Sequence, residues 1–354
     1  MRVLFLTIAK PERGSGDGIT DYTYQLKRSI GKRAQVDVIY SIGRMKRNDA
    51  VGLISTSLLF GRKVDKAIKR GYDIVHITNH EIGLLAGRIK SRDKSVKVVT
   101  TIHDLMRFRN GMNEGILQKV YNINTVKNVT SAVKNSDFLL FNSSQTQNDV
   151  NKTFPRLNRL RQKVIPHGID EAFMRPITKR KRNRKFIVGY LGSLAYHKNA
   201  IMVLKTAKAF NGYNDFKFLV YGTGSTSNIL AKYKDVNGLD NVSLMGFAPQ
   251  DKIVNIYDSF DAFIFPSLYE GLGLPILEAQ ARGLPVIICK KAQITKEVRR
   301  YCFEAESEVN VVEIIKRIKD RWYSSRLKNN AILYARTFNW KRTASETLGV
   351  YKRL

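Results

Sequence analysis

The sequence predicts an α/β protein made of two Rossmann-like doubly wound domains facing a cleft. Three observations predict this. Apolar runs of strand length alternate with longer helical patterns along most of the chain. The alternation halts at a dense basic stretch near residue 180 and then restarts. At 354 residues and 43% hydrophobic composition, the chain is long for one domain and apolar enough for two cores.

In the first half, strands are predicted at 2–8, 35–40, 73–78, 96–102, 137–142 and 162–166. Helical patterns fall between them, for example at 19–30, 56–70, 81–90 and 114–134. Such alternation implies a parallel sheet with helices on both faces. Gly71-Tyr72-Asp73 and Asn135-Ser136-Asp137 mark helix ends just before strands. After Pro176 the run Lys179-Arg180-Lys181-Arg182-Asn183-Arg184-Lys185 reads as a linker. The second half predicts strands at 186–191, 216–221, 242–245, 261–265 and 285–289, and helices at 198–210, 225–234, 249–258 and 275–282. From about Val309 the pattern is helical throughout. The resulting division is 1–175, a linker at 176–185, 186–335, and a closing helix at 336–354. No short-period repeat is present. Ligands of such sheets bind beyond the carboxyl ends of the strands.

The most informative segment is 261–288, DAFIFPSLYEGLGLPILEAQARGLPVII. An apolar strand ends at Pro266 and a loop carries Glu270, Gly271 and Gly273. A helix then opens near Pro275, with Glu278 expected in its first turn. The glycines let the backbone approach a ligand closely. Proline suits the first helical turn, and the free amides there form an anion site. A plain βαβ unit explains the strands and the helix. It does not explain two carboxylates flanking that site, which suit sugar hydroxyls.

Other loops at strand ends carry candidates. Gly14-Ser15-Gly16-Asp17-Gly18-Ile19-Thr20 is a glycine-rich strand-to-helix turn. It lacks the Lys-Ser/Thr of a Walker loop and the spacing of the dinucleotide fingerprint. His103 and Asp104 close the strand 96–102, where His103 could donate to a sugar hydroxyl or act as a base. His167, in Val164-Ile165-Pro166-His167-Gly168, reads equally as a ligand contact or a structural turn. In the second half, Gly192 allows close approach, and Ser193 and Lys198 can meet phosphate oxygens. The turn at Gly222 brings a further helix start to the same end, and Phe247 could seat a nucleotide base.

Composition narrows the function classes. A formal charge of +31 implies a polyanionic partner (nucleic acid, an acidic membrane surface or a phosphorylated substrate) or simply solvated faces. No apolar run reaches the length of a membrane span. The opening RVLFLTIA reads as a first strand rather than a secretory signal, so a cytosolic protein, at most peripheral to the cytosolic membrane face, is expected. Two cysteines, Cys289 and Cys302, and five scattered histidines show no zinc spacing. Nothing in the cysteine spacing calls for a disulfide, and a reducing compartment is the default. No D-x-D metal–nucleotide signature is present, and no metal or cofactor is expected.

These loops resemble, in order, the family-4 retaining glycosyltransferases of the GT-B fold. The resemblance covers nearly the whole chain. It rests on the first-loop glycines, TIHDL, VIPHGID, GSLAYHKN, VYGTG, GFAP and, most specifically, PSLYEGLGLPILEAQARGLPVI. The terminal FNWKRTASETLGVY is similar to the family's closing helix, which crosses back onto the first domain. The resemblance implies that Glu270 and Glu278 are the two glutamates of the E-x7-E motif. Glu270 would hold donor-sugar hydroxyls and Glu278 the ribose hydroxyls. It further implies phosphate or sugar contacts from the amides of Leu272, Gly273 and Leu274, and a phosphate-binding Lys198. It puts His103 near the transferred sugar and Gly16 and Gly18 near the diphosphate. The sequence departs from the pattern in three places. Ser193 stands where many members have arginine, His167 where asparagine is common, and Lys290-Lys291-Ala292-Gln293 where small residues are usual.

The implied reaction is transfer of a hexosyl group from a nucleotide-diphosphate sugar to an acceptor hydroxyl, with retention and without metal. The charge favours an anionic or membrane-borne acceptor such as a polyprenyl-phosphate-linked glycan. Met106–Lys134, basic among apolar residues, could lie on an anionic membrane surface or be a core helix with a solvated face. Rival readings are nucleotide-sugar epimerisation, phosphorolysis, or nucleic-acid binding. No nucleic-acid module is recognisable, and no specific nucleic acid is expected.

Overall fold

The computed structural model describes residues 1–10, 18–42, 50–105, 116–157, 161–176 and 185–354, with backbone alone at 42, 50–58, 116–122, 321 and 322. Gly16, most of the basic run at 179–185 and the first part of Met106–Lys134 lie outside the described residues. The chain forms two units. Met1–Gly168 with Trp340–Leu354 is one, and Ile169–Asn339 is the other.

The first unit alternates strand and helix: β1 Arg2–Ala9, α1 Gly18–Ile30, β2 Gln35–Ile42, α2 Ala50–Ile68, β3 Ile74–Ile77, α3 Leu84–Arg92, β4 Lys97–Ile102, α4 Ile116–Asn135, β5 Phe138–Phe141, α5 Ser144–Thr153 and β6 Gln162–Val164. All its strands pair in parallel in the order β2-β1-β3-β4-β5-β6. The apolar run of β1 is continuous because both sheet faces are covered. Val3 and Phe5 face a core with Tyr22, Leu26, Trp340 and Leu348. Leu4 and Leu6 face the opposite core with Phe60, Val64 and Ile89.

The second unit repeats the scheme with β7 Phe186–Leu191, α6 Ile201–Lys208, β8 Phe216–Tyr221, α7 Ser227–Val236, β9 Val242–Gly246, α8 Ile253–Ser259, β10 Ala262–Phe265, α9 Leu274–Ala281, β11 Val286–Cys289, α10 Lys296–Arg299, β12 Cys302–Ala305, α11 Glu308–Arg317 and α12 Ser325–Arg336. Its parallel order, β12-β11-β10-β7-β8-β9, reverses direction between β10 and β7. Connections leave in opposite directions at that point and open a crevice at the carboxyl ends of these strands. α13, Trp340–Tyr351, belongs to the first unit.

Some details differ from the sequence pattern. β12 was not expected, because CFEA is short, half polar and on the sheet edge next to β11. The helix expected over 198–210 begins only at Ile201. A 3-10 turn, Tyr196–Lys198, precedes it and ends at Asn199, whose φ of 51° turns the chain. The continuous helix expected from Val309 breaks at Tyr323-Ser324 and again at 337–339. Ile169–Arg175 goes with the second unit because the carbonyls of Phe173 and Arg175 accept from Arg282 at 3.3 and 2.7 Å.

Candidate active site

The switch point of the second unit gathers three loops. After β7 comes Gly192–Asn199, after β10 comes Pro266–Gly273, and after β11 comes Lys290–Gln293. Backbone bonds stitch them together. The Leu268 amide donates to the His197 carbonyl at 2.9 Å, the Glu270 amide to Gln293 at 3.0 Å, and the Gln293 amide to Leu268 at 2.8 Å. Within this frame Lys198 Nζ donates to Glu270 Oε1 at 2.6 Å. Their side chains are 22% and 11% exposed, so both charges are shielded yet reachable by solvent. Burial, and secondarily the Glu270 charge, raises the Tyr190 hydroxyl well above its usual range. That hydroxyl donates to the Ser193 carbonyl at 2.8 Å and fixes the start of the first loop. Ser193 itself is exposed at the surface of the loop.

Gly273 takes a left-handed φ of 88° and caps α9, with Pro275 in the first turn. A side chain there would strain the backbone rather than collide. The amides of Leu272, Gly273 and Leu274 make no hydrogen bond among the described residues, so three donors stand at this helix start. Glu278 lies in the second turn of α9, not the first, because the helix begins at Leu274. Its carboxylate is therefore oriented by a side chain and owes little to the helix end. The Tyr257 hydroxyl, on α8, donates to Glu278 Oε2 at 2.9 Å. Burial, reinforced by that carboxylate, raises the Tyr257 hydroxyl well above its usual range, so it remains a donor.

Sequence reasoning missed Tyr257 and its neighbourhood. Asp258, next along α8, pairs with the buried Arg282 through two bonds of 2.7 Å. Arg282 is 2% exposed. The Phe173 ring packs edge-on to Tyr257 at 5.7 Å. No spacing in the sequence signals these partners, which lie 21 and 24 residues from one another along the chain.

Gly222 earns its glycine from packing. A Cβ there would stand 1.9 Å from the Gly192 carbonyl oxygen, and φ is 146°. It joins the ends of β7, β8 and β9, its amide donating to Gly246 at 2.7 Å. Phe247, beyond β9, is 72% exposed, an apolar ring offered to solvent in the second unit.

In the first unit, His103 Nε2 meets the Thr78 carbonyl at 2.8 Å. A carbonyl only accepts, so Nε2 carries the hydrogen, and any base role would need Nδ1. The His103 ring is buried, edge-on to Tyr22 at 5.0 Å and to His167 at 5.1 Å. His167 stacks on Tyr22 at 4.4 Å, with Trp340 at 5.9 Å. Its Nε2 has no hydrogen-bond partner among the described residues, and burial holds its pKa well below the usual value. His76 bonds Tyr351 Oη at 2.5 Å and Thr101 Oγ1 at 2.7 Å, and burial lowers its pKa to about 3. Gly18 opens α1, and no described atom lies within 4 Å of where a Cβ would stand. Both cysteines are free thiols. Among the described residues no helix is long and apolar enough to cross a membrane.

Comparison with known proteins identifies the family and the fold. The family model "Glycosyl transferases group 1" matches residues 174–336. The model "Glycosyltransferase Family 4" matches residues 16–173. A D-inositol 3-phosphate glycosyltransferase of Acidothermus cellulolyticus is 25% identical over 305 residues, 79% of this chain and 67% of that protein. A UDP-Gal:alpha-D-GlcNAc-diphosphoundecaprenol alpha-1,3-galactosyltransferase of Escherichia coli is 31% identical over 237 residues, 62% of this chain and 58% of that protein. The matches thus span about two thirds or less of these relatives. Among solved structures, sucrose-phosphate synthase of Thermosynechococcus elongatus has a TM-score of 0.78 at 17% identity, covering 99% of this chain and 98% of the other. Anabaena Alr3699/HepE in complex with UDP has a TM-score of 0.74 at 16% identity, with both chains fully covered. A family model on each half, and one fold shared end to end with these structures, mean that the chain belongs to the group 1, family 4 glycosyltransferases of the GT-B fold.

Proposed function

We propose that the protein transfers a hexosyl group from a nucleotide-diphosphate sugar to a hydroxyl of a glycan or lipid-linked glycan, with retention at the anomeric carbon and without metal. The observation that carries this reading is the Lys198–Glu270 pair at the switch point beside three free helix-start amides. In this reading the second unit holds the nucleotide sugar and the first holds the acceptor. An arriving diphosphate draws the Lys198 ammonium towards its oxygens. Glu270 is then released from the lysine and accepts hydrogen bonds from donor-sugar hydroxyls. Glu278, oriented by Tyr257, receives the ribose hydroxyls. The amides of Leu272, Gly273 and Leu274, and the Ser193 hydroxyl, meet phosphate or sugar oxygens. Phe247 offers a face to the base, and Gly222 keeps the loops close enough for the ligand to reach all of them. As the resemblance implies, His103 would contact the transferred sugar, and Gly16 and Gly18 the diphosphate.

The bond from the anomeric carbon to the diphosphate oxygen breaks as the acceptor oxygen bonds to that carbon from the same face. The acceptor proton passes to the departing diphosphate, and Lys198 with the helix-start dipoles stabilises the charge developing there. The relatives' names support the donor and acceptor classes. Anabaena HepE is solved with UDP and with UDP-glucose, and the Escherichia coli relative uses UDP-Gal and a diphosphoundecaprenol-linked acceptor. A lipid-linked acceptor and a charge of +31 together favour peripheral contact with an anionic membrane at the cytosolic face.

The test is a panel of uridine, guanosine and adenosine diphosphate sugars, with and without chelator. Nucleotide release is measured, and the anomeric configuration of the product is read by NMR. Release that survives chelation, a product of retained configuration, and loss of release in Glu270→Gln are expected. Absence of binding and cleavage across the whole panel would sink the reading.

A further inference from the structure

The first unit carries 34 of the 61 Lys and Arg but 14 of the 30 Asp and Glu, a net +20 of the chain's +31. Part of that excess lines a groove at the edge of the first unit's sheet. β2 is an edge strand among the described residues, paired only with β1, so one row of its backbone N–H and C=O groups lacks a neighbouring strand. A groove of about 840 Å³ runs along it. On one side α1 presents Tyr24, Lys27 and Arg28, which the i, i+3, i+4 spacing puts on one helix face. On the other side stand Arg70 and Tyr72. Lys27, Arg28 and Arg70 are exposed. Among the described residues that line the groove the single carboxylate is Asp37, which accepts from the Tyr72 hydroxyl at 2.8 Å. The described lining therefore offers a ligand cations and aromatic faces and no unoccupied acid.

Its course is informative. It spans Val36 to Tyr40 of β2, about 13 Å at the rise of a strand, and reaches Lys10 just past the end of β1. That end of the sheet is where Gly18 opens α1, the end through which the first unit would meet its substrate. A ligand that enters there and continues down the edge is a chain, and its charge must be negative.

We propose that this groove holds the distal part of the acceptor, and that the acceptor is an anionic glycan bearing carboxylate or phosphate groups. This deepens the glycosyltransferase reading and rests on it. The cations hold the anionic substituents, Tyr24 and Tyr40 stack on sugar rings, and the free backbone groups of β2 bond sugar hydroxyls. Groups so exposed act by screened attraction, so binding weakens as salt rises.

The experiment measures binding to the full chain by calorimetry. The probes are hexagalacturonate, a phosphorylated glucose hexamer, neutral maltohexaose, hexaglutamate and a hexathymidylate. One or both anionic glycans are expected to bind at least tenfold more tightly than maltohexaose, and the arm that binds names the substituent. The triple variant Lys27→Ala/Arg28→Ala/Arg70→Ala is expected to lose about tenfold or more. A control that removes three charges elsewhere, Lys208→Ala/Lys232→Ala/Lys252→Ala, should stay within about twofold. The proposal is overturned if both triple variants lose equally, or if hexaglutamate or hexathymidylate binds more tightly than either anionic glycan. Donor cleavage without acceptor is followed in parallel and should not change in the Lys27/Arg28/Arg70 variant. If no nucleotide sugar is cleaved while the glycans still discriminate, the groove stands and the transferase reading falls. If donor is cleaved and the glycans do not discriminate, the groove proposal alone falls.

Discussion

Asp258→Ala is expected to destabilise the second unit through a charge left without its partner. Arg282 is 2% exposed, and its Nε and Nη2 donate to the two Asp258 carboxylate oxygens at 2.7 Å each. Nη1 donates to the carbonyls of Arg175 and Phe173. Without Asp258 the guanidinium keeps those carbonyl dipoles but loses its counter-charge, in a site with little access to water. Breaking one side of a buried pair destabilises by about 3–5 kcal/mol. Asp258 is 17% exposed, so water can partly replace it, and the lower end of about 3 kcal/mol applies. For a unit of this size that corresponds to a fall in Tm of roughly 6–12 °C. Scanning calorimetry on the full chain, with urea unfolding at 25 °C, measures it. The double variant Asp258→Ala/Arg282→Met removes both charges and should recover part of the loss. A fall below about 2 °C for the single variant, or a double variant worse than it, would refute this account.

Three further outcomes are expected. Lys198→Ala should lower kcat by about 10²–10³-fold with Tm little changed, as for loss of one preorganised group facing a leaving group, and nucleotide-release kinetics would measure this. Tyr257→Phe removes the bond to Glu278 and should raise the KM for the nucleotide sugar about five- to tenfold at nearly constant kcat. His76, held down to about 3, and His167, also lowered by burial, are neutral when folded, whereas the unfolded chain takes up protons below about 6.5. Their contribution is complete above that pH and fades as pH falls. His76 alone should remove about 2 kcal/mol by pH 5, and urea titrations at pH 7.5 and 5 should show this, with a flatter response in His76→Gln.

Much of the site was legible because backbone geometry restricts residue choice. Gly273 at positive φ and Pro275 in the first turn of α9 leave few alternatives, so the string around Glu270 stands out even in isolation. β1 and β10 were legible because strands buried on both faces read as unbroken apolar runs. The position of Glu278 within α9 was off by one turn, since the left-handed cap lies one residue before the helix start and nothing local fixes that offset. Lys198 was expected in a helix, and the left-handed Asn199 that confines it to a 3-10 turn has no flanking glycine to announce it. The Tyr257, Asp258 and Arg282 contacts were invisible because they arise from packing α8 against α9, which no periodicity encodes. His103 was picked out by its place at a strand end, but its tautomer follows from the Thr78 carbonyl on a neighbouring strand connection.

The closing helix has a consequence for biogenesis. Trp340 and Tyr351 pack into the core of the first unit, and Thr343 Oγ1 donates to the Pro166 carbonyl at 2.8 Å. Ribosomes deliver those residues only after the whole of the second unit, at about 5–20 residues per second. For roughly ten to thirty seconds the nascent amino-terminal half would have an open seam beside Tyr22 and His167, a window in which chaperones or proteases could engage it.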